Sequence, residues 1–504
     1  MTKARWPALR PSEPVPVGFR LRPDPATRLV DGVLVGGSPT RVLRLTASGA
    51  RQVSGWIDGK PVGESPGARK LARKLLDAGI AHPDLGTGAG STAWPGSPAM
   101  ADVTVVIPVK DRHDELARCL NGLITARSFA AGQGPREVIV VDDCSADPAG
   151  IEAVAAAAGA RVIRRPVNGG PGAARNTGLA AATTELVAFL DSDCVPSAGW
   201  LDGLLPHFAD PAVGAVAPRI VPAAAGRSWL ARYEGASSTL DMGARPSIVR
   251  PGSRVSYVPG AALVVRREAA GAGFTPGMHV GEDVDFVWRL AAACWRVRYE
   301  PAAQMGHQHR VRLIPWMSRR ADYGTSAAIL EELHPGSVRP LYASWWTVAA
   351  WGAVAASGSR RRLPIGVTAA AGITGVATAL LARKLSRVTG DNAQAWRLAA
   401  RLAGGGTLAA GRPIGSAISR AWWPVAVPVA VALPWLRLPA AALTIAPAVL
   451  DWADRRPPLD PARYVVARLL DDGAYSIGVW KGCAGRRSFR SLLPVIGSRH
   501  APDR

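Results

Sequence analysis

Two aspartates one residue apart, Asp191 and Asp193, close an apolar run in the stretch Ala188 to Cys194, AFLDSDC. Carboxylates at that spacing suit a hard divalent cation, Mg²⁺ or Mn²⁺, which takes one or two protein oxygens and completes its shell with water and phosphate. Alone, such a triplet could equally turn a loop or cap a helix. Asp142 and Asp143 end a second apolar run (EVIVVDDCS), and Asp111 follows a third (VTVVIPVKDR). Glu282, Asp283 and Asp285 open a helical stretch directly after Gly281. Acids at a helix start often serve only the helix dipole. Here the cluster also follows a glycine at an opening, and an inverting sugar transfer needs one carboxylate as general base near the donor's anomeric carbon. His307, in MGHQHR, is an imidazole available as a further ligand for an ion held by Asp191 and Asp193, or simply a solvated loop residue.

The stretch NGGPGAARNTG (168–178) lies between the third and fourth strand-like runs. Gly169 and its neighbours let backbone approach a ligand, and a helix beginning near Pro171 presents N-terminal amides to an anion. Neither a dinucleotide fingerprint nor a triphosphate-binding loop is present. Arg175, one turn into that helix, carries a planar guanidinium able to reach a base carbonyl or a phosphate.

These residues need a scaffold that brings them to one edge. The runs VTVVIPV (103–109), EVIVVDDCS (137–145, a strand and then Asp142-Asp143), ARVIRRP (160–166) and ELVAFLDSD (185–193) read as strands with the residues that end them, with amphipathic helices after the first, at 151–158 and at 173–181. Strands alternating with helices form a parallel sheet, and three of the four strands deliver aspartate to its carboxyl edge, where such folds bind ligands. Further on, YVPGAALVVRREA (257–269) reads as a loop running into a strand, with Gly260 in a pocket wall. VRYEP then reads as an edge strand.

The chain of 504 residues, 48% apolar, has room for several domains with substantial cores. A net charge of +22 implies an anionic partner, but arginine is spread along the whole length, which disfavours nucleic acid and favours an anionic membrane surface or a phosphate-bearing substrate. Five cysteines without a CxxC pair argue against a disulfide framework or zinc ribbon. The basic N-terminus has no apolar core like that of a secretory signal, so the catalytic part is expected to face the cytoplasm.

The flanks divide the chain further. Residues 1–83 read as a small α+β, winged-helix-like module, either peptide-binding or purely structural, and 84–100 as a linker. Residues 101–320 form the α/β domain, and 456–504 a soluble tail. Between them, 321–455 holds three apolar stretches: 341–357, 363–382 and 422–452, the last broken around Pro434 to Arg437. Tryptophans near their ends read as an interfacial belt, and the segments as membrane-associated helices or as helices packed on the catalytic domain. Basic residues at 360–362 and 383–384 favour one side for both ends of the middle stretch, which a single crossing does not allow.

Taken in order, PVKDR, VVDDCS, NGGPGAARNTG, LDSDC and GEDVDFVWRL resemble the inverting glycosyltransferases of family 2, which have a Rossmann-like GT-A fold; the likeness covers about residues 101–310. The resemblance implies a nucleotide-diphospho-sugar donor seated on Pro108 and Gly169. Asp111 and Asp143 face its uracil and ribose, Arg175 its base, Asp191 the ribose or the metal, and Asp193 the metal. Asp283 is the base that deprotonates the acceptor hydroxyl, and Gly260 and Glu282 line the acceptor side. With its N-terminal module and apolar C-terminal third, the chain further resembles the glycosyltransferases of mycofactocin biosynthesis. That likeness implies UDP-glucose as donor, a peptide-derived redox cofactor or its precursor as acceptor, a β-linked product, and placement at the cell membrane. One family feature is missing: a QxxRW-type processivity motif, in whose place stands RRADYG. Two other readings stay open, a membrane polysaccharide synthase and a peptide-binding protein with a degenerate transferase domain.

Overall fold

The computed structural model describes residues 13–85, 95–125, 134–224, 226–359 and 361–497. The first twelve residues, most of the expected linker, and Arg360 lie outside this set. The chain forms two compact units, residues 1–225 with 237–309, and residues 226–236 with 310–504.

The first unit opens with the small module: β1 (Leu21–Pro23), β2 (Arg28–Val30), β3 (Val33–Gly36), β4 (Arg41–Arg44), α1 (Ala47–Ile57), α2 (Pro66–Asp77) and β5 (Ala81–Pro83). Strands β2, β3 and β4 form an antiparallel meander, and β5 returns to pair with β1. Thr46 and Ser65 cap the two helices, each accepting a hydrogen bond from an amide three residues on. Leu34, Trp56, Leu75 and Leu76 fill the core.

The larger sheet has nine strands. Four are parallel and follow the sequence pattern: β6 (Val103–Val109), β7 (Glu137–Asp142), β8 (Arg161–Arg164) and β9 (Leu186–Leu190), in the order β9-β6-β7-β8. Every residue of β6 and β9 is buried, as a sheet covered on both faces requires. Helices α3 (His113–Leu123), α4 (Pro148–Ala157) and α5 (Gly170–Ala181) connect them.

The rest of the sheet is built from β10 (Cys194–Pro196), β11 (Val213–Pro222), β12 (Ser247–Val249), β13 (Ala262–Arg266) and β14 (Arg296–His307). Strand β13 runs antiparallel to β9, β11 antiparallel to β13, and β14 parallel to β11. The expected edge strand VRYEP is thus the start of a twelve-residue interior strand flanked by β10, β11 and β12. Its pairing with β11 jumps from Glu300 to Gln304, which puts Pro301, lacking an N–H, in an irregularity where no ladder bond is lost.

Module and sheet belong to one unit, joined by ion pairs. Arg73 on α2 grips Asp210 through both terminal nitrogens at 2.6 Å, with both side chains buried. Arg296 holds Asp77 at 2.9 Å and Arg254 holds Asp24 at 2.9 Å.

In the second unit, a helix spanning Leu313–Leu333 lies against one spanning Pro461–Arg486. A Cβ on Gly478 would overlap the Ala321 carbonyl, so the backbones touch there. Helices at Trp345–Ala356, Leu363–Thr389, Trp423–Ala432 and Arg437–Arg455 carry the apolar stretches, and the last stretch breaks at Pro434.

Candidate active site

Three parallel strands end at the site. Strand β6 passes into Lys110 and Asp111, β7 into Asp142 and Asp143, and β9 into Asp191. Asp111 and Cys144, immediately beyond two of these strands, adopt left-handed backbone angles (φ 55° and 64°), an uncommon state for residues with a side chain. The Asp111 amide donates to Ser145 Oγ (3.0 Å), and its carboxylate accepts from the Ala146 amide (2.7 Å), which locks the two strand ends together.

Asp143 is engaged by the glycine loop. Its oxygens accept from the amides of Gly169 (3.1 Å) and Gly170 (2.7 Å), and Arg165 donates to it. The N-terminal amides of α5 thus meet a carboxylate of the protein itself. Pro108 is buried inside β6 opposite Val141 and positions the strand end rather than presenting a side chain to solvent.

Arg175, expected at the base, is instead buried, 2% exposed, with an arm on each of two carboxylates. Nη2 donates to Asp191 (2.6 Å) and Nη1 to Glu282 (2.9 Å), above the ring of Phe274 at 5.3 Å. A guanidinium so enclosed draws together acids 91 residues apart in sequence, and Asp191 and Glu282 push its pKa up against the pull of burial. Burial, reinforced by the charge of Asp283 and opposed by Arg175, raises the Glu282 carboxyl to about 7.

Asp283 stands on the first turn of the helix Glu282–Ala292. Its oxygens accept from the amides of Gly260 (2.8 Å) and Val284 (2.8 Å), which fix the carboxylate's direction. Space at Gly260 is tight: a Cβ there would stand 3.0 Å from the Asp283 Cβ and 3.2 Å from Arg175 Nη2. The neighbouring Ala261 carbonyl accepts from the Asp191 amide (2.9 Å). Asp191, Arg175, Gly260, Glu282 and Asp283 therefore form one contiguous group.

Asp193 lies next to it. Arg112 donates to its Oδ2 at 2.6 Å, while Oδ1 is buried without a hydrogen bond and has His307 Nε2 at 3.3 Å. His307 is delivered by the end of β14, opposite Cys194 in β10. Burial works against the Asp193 charge, but His307 and Arg112 outweigh it and hold the carboxyl well below the usual carboxylate range. Among the described residues no group of three or more His, Cys, Asp or Glu side chains is arranged to hold an ion. The donor pair does fit one: two ligands at right angles about 2.1 Å from a cation stand roughly 3 Å apart. Asp193 and His307 meet that spacing, and Asp191 turns towards Arg175.

Three participants escaped the sequence reading. Arg112 stands in the PVKDR motif, Arg165 directly after the third strand, and Phe274 eight residues before Glu282, but none has a local pattern that announces a partner.

This mixed sheet, with acids gathered at the ends of its parallel strands, is the GT-A fold of the family 2 glycosyltransferases, and the model of glycosyl transferase family 2 matches residues 104–271. A pre-mycofactocin glycosyltransferase of Mycobacterium tuberculosis is 40% identical over 494 residues, spanning 96% of this chain and 98% of that one. The chain belongs to the pre-mycofactocin glycosyltransferase family. A succinoglycan biosynthesis protein of Rhizobium meliloti is 43% identical over 102 residues, 19% of this chain and 30% of its own. Among solved structures, a mannosyltransferase from Pyrobaculum calidifontis in complex with GDP-mannose and Mn²⁺ has 22% identity and a TM-score of 0.37, covering 61% of this chain and 90% of that one.

Proposed function

We propose that this family 2 glycosyltransferase of the mycofactocin pathway moves a hexose, glucose from UDP-glucose, onto the peptide-derived redox cofactor or its precursor with inversion at the anomeric carbon. The observation that carries the reading is the junction at Gly260, where the carboxylate of Asp283 and the Arg175 clamp on Asp191 meet within one side chain's reach.

Asp283, aimed by two backbone amides, takes the proton of the acceptor hydroxyl as its oxygen forms the new bond to the anomeric carbon. The bond from that carbon to the diphosphate oxygen breaks in the same displacement, the nucleoside diphosphate leaves with the electron pair, and configuration inverts. A divalent cation, Mg²⁺ or Mn²⁺, when held by Asp193 and His307, supplies charge neutralisation for the leaving diphosphate. Arg175 keeps Asp191 and Glu282 apart from the proton transfer and in place. Asp111 and Asp143, at the ends of β6 and β7, are assigned to the nucleoside side of the donor, and Gly260 and Glu282 to the acceptor side.

Within this reading, residues 1–83 act as the peptide-recognition module, 101–320 as the transferase and 321–455 as the membrane-associated part, with the transferase facing the cytoplasm. Two helices, Leu363–Thr389 and Pro434–Arg455, are long and apolar enough for membrane contact. The test is transfer of labelled glucose from UDP-glucose to the purified acceptor with Mn²⁺ present, with the anomeric configuration of the product read by NMR. An α-linked product, or no transfer from any nucleotide-sugar, refutes the proposal.

A further inference from the structure

The second unit carries more exposed apolar surface than a water-facing bundle tolerates. Ile365 is 70% exposed, Leu438 72% and Val431 65%. Where that surface sits, and how the chain enters and leaves it, limits how it can meet a bilayer.

Two excursions leave the body of this unit and return to it. The first begins at Tyr342–Ala343, paired with Val495–Ile496, and ends at Trp422, whose indole donates to the Leu492 carbonyl at 2.8 Å. Both of its ends are pinned to residues 492–496. The second runs from Trp423 to Arg455 and also starts and finishes on the helix Pro461–Arg486. Ser419 bonds Asp472 (2.6 Å) at its start, and Asp451 bonds Tyr464 (2.6 Å) at its finish. A segment whose ends meet must cross a bilayer an even number of times. Yet among the described residues each excursion holds a single helix long and apolar enough to span. Their hairpin partners fall short of a hydrocarbon core of roughly 30 Å: Trp345–Ala356 has 12 residues and rises about 18 Å, and Trp423–Ala432 is the apolar last 10 residues, about 15 Å, of a helical run that continues back through Ile418–Trp422, where Ser419 and Arg420 are tied to Asp472.

The hairpin tips carry the rest of the pattern. They touch: a Cβ on Gly358 would stand 3.1 Å from the Cβ of Trp435. The tips bear Arg361, Arg362 and Arg437, with Trp435 and the exposed Ile365 and Leu438 alongside. Arg437 turns back to donate to the carbonyls of Ala430 (3.3 Å) and Val431 (3.0 Å). Cationic groups bordering apolar side chains and an indole match the phosphate and acyl levels of an anionic leaflet.

We infer that this protein is monotopic: the paired hairpin tips insert into one leaflet of an anionic phospholipid membrane, and neither long apolar helix crosses it. This rests on the membrane association proposed above, and the two fail separately. The full-length protein is mixed with vesicles of phosphatidylcholine alone or with 30% phosphatidylglycerol, and Asn392→Cys and Ser359→Cys variants are exposed to an impermeant maleimide in intact spheroplasts. Expected are preferential binding to the anionic vesicles, at least tenfold weaker binding for Arg361→Glu with Arg362→Glu, and no labelling above wild type until the cells are opened. Equal binding to both vesicle types overturns the role of the tips. Labelling of either cysteine from outside overturns the monotopic arrangement while leaving association intact. Absence of binding to any vesicle removes association itself, and the inference with it.

Discussion

Replacing Arg175 with methionine probes the centre of the site most severely. The guanidinium is 2% exposed and bonded at 2.6 Å to Asp191 and 2.9 Å to Glu282, with Asp283 next in sequence. Methionine keeps the bulk against Phe274 but leaves two acids facing each other without a cation. Stripping one partner from a buried ion pair costs about 3–5 kcal/mol. Much of that loss is the cost of leaving Glu282 without its cation, as a bare charge or as the proton it takes up instead, so adding Glu282→Gln to Arg175→Met recovers on the order of 1–3 kcal/mol. The cycle is measured at pH 8, where Glu282 is ionised, from amide exchange in β9 and α5, which reports opening of the catalytic unit independently of the helical one. Additive losses in the double variant refute the claim that Arg175 acts as a clamp between these two carboxylates.

Because the Glu282 carboxyl lies at about 7 in the folded chain against an ordinary 4.5, the folded state binds the extra proton between these values. Its contribution to stability therefore falls as pH rises from about 4.5 through 7, by on the order of 3 kcal/mol. Glu282→Gln removes that slope, and an unchanged pH profile of amide exchange contradicts the assignment. His307→Ala lowers Mn²⁺ affinity at least tenfold by calorimetry in the presence of UDP, since Asp193 keeps no second protein donor of the same geometry; unchanged affinity removes His307 from the site. Arg73→Ala leaves Asp210 buried and unpaired between the small module and the sheet, at a cost of about 3–5 kcal/mol. The variant should show faster amide exchange in α2 and β14 together, whereas loosening of α2 alone means that the module is only loosely attached.

Much of the parallel half was legible in the sequence, for a physical reason. Strands buried on both faces, such as VTVVIPV and ELVAFL, are continuous apolar runs, and an aspartate directly after such a run has to emerge at the sheet's edge. The antiparallel half gave weaker signals. Strand β14 reads as a short edge because Pro301 interrupts it, and only the register against β11 reveals the irregularity that absorbs the proline. Site residues were recognisable by type, but their pairings were not. Arg175 and Glu282 are separated by 107 positions, Arg73 and Asp210 by 137, and no local period encodes such contacts. A guanidinium in a glycine-rich context suggests a ligand, the nucleotide base; in the fold Arg175 lies over the Phe274 ring with its arms on Asp191 and Glu282. In the apolar third, Pro434 announced the break, while the meeting of the two tips could come only from the fold.

The central claim, that Asp283 removes the acceptor proton beside a donor bound by the other acids, is tested most directly by Asp283→Asn. Asparagine keeps the size of the side chain and an acceptor for the Gly260 amide but cannot take a proton. UDP-glucose should bind this variant with the wild-type dissociation constant, while transfer in a single-turnover assay falls about 10²–10⁴-fold. Transfer within tenfold of wild type, with donor binding intact, contradicts the assignment.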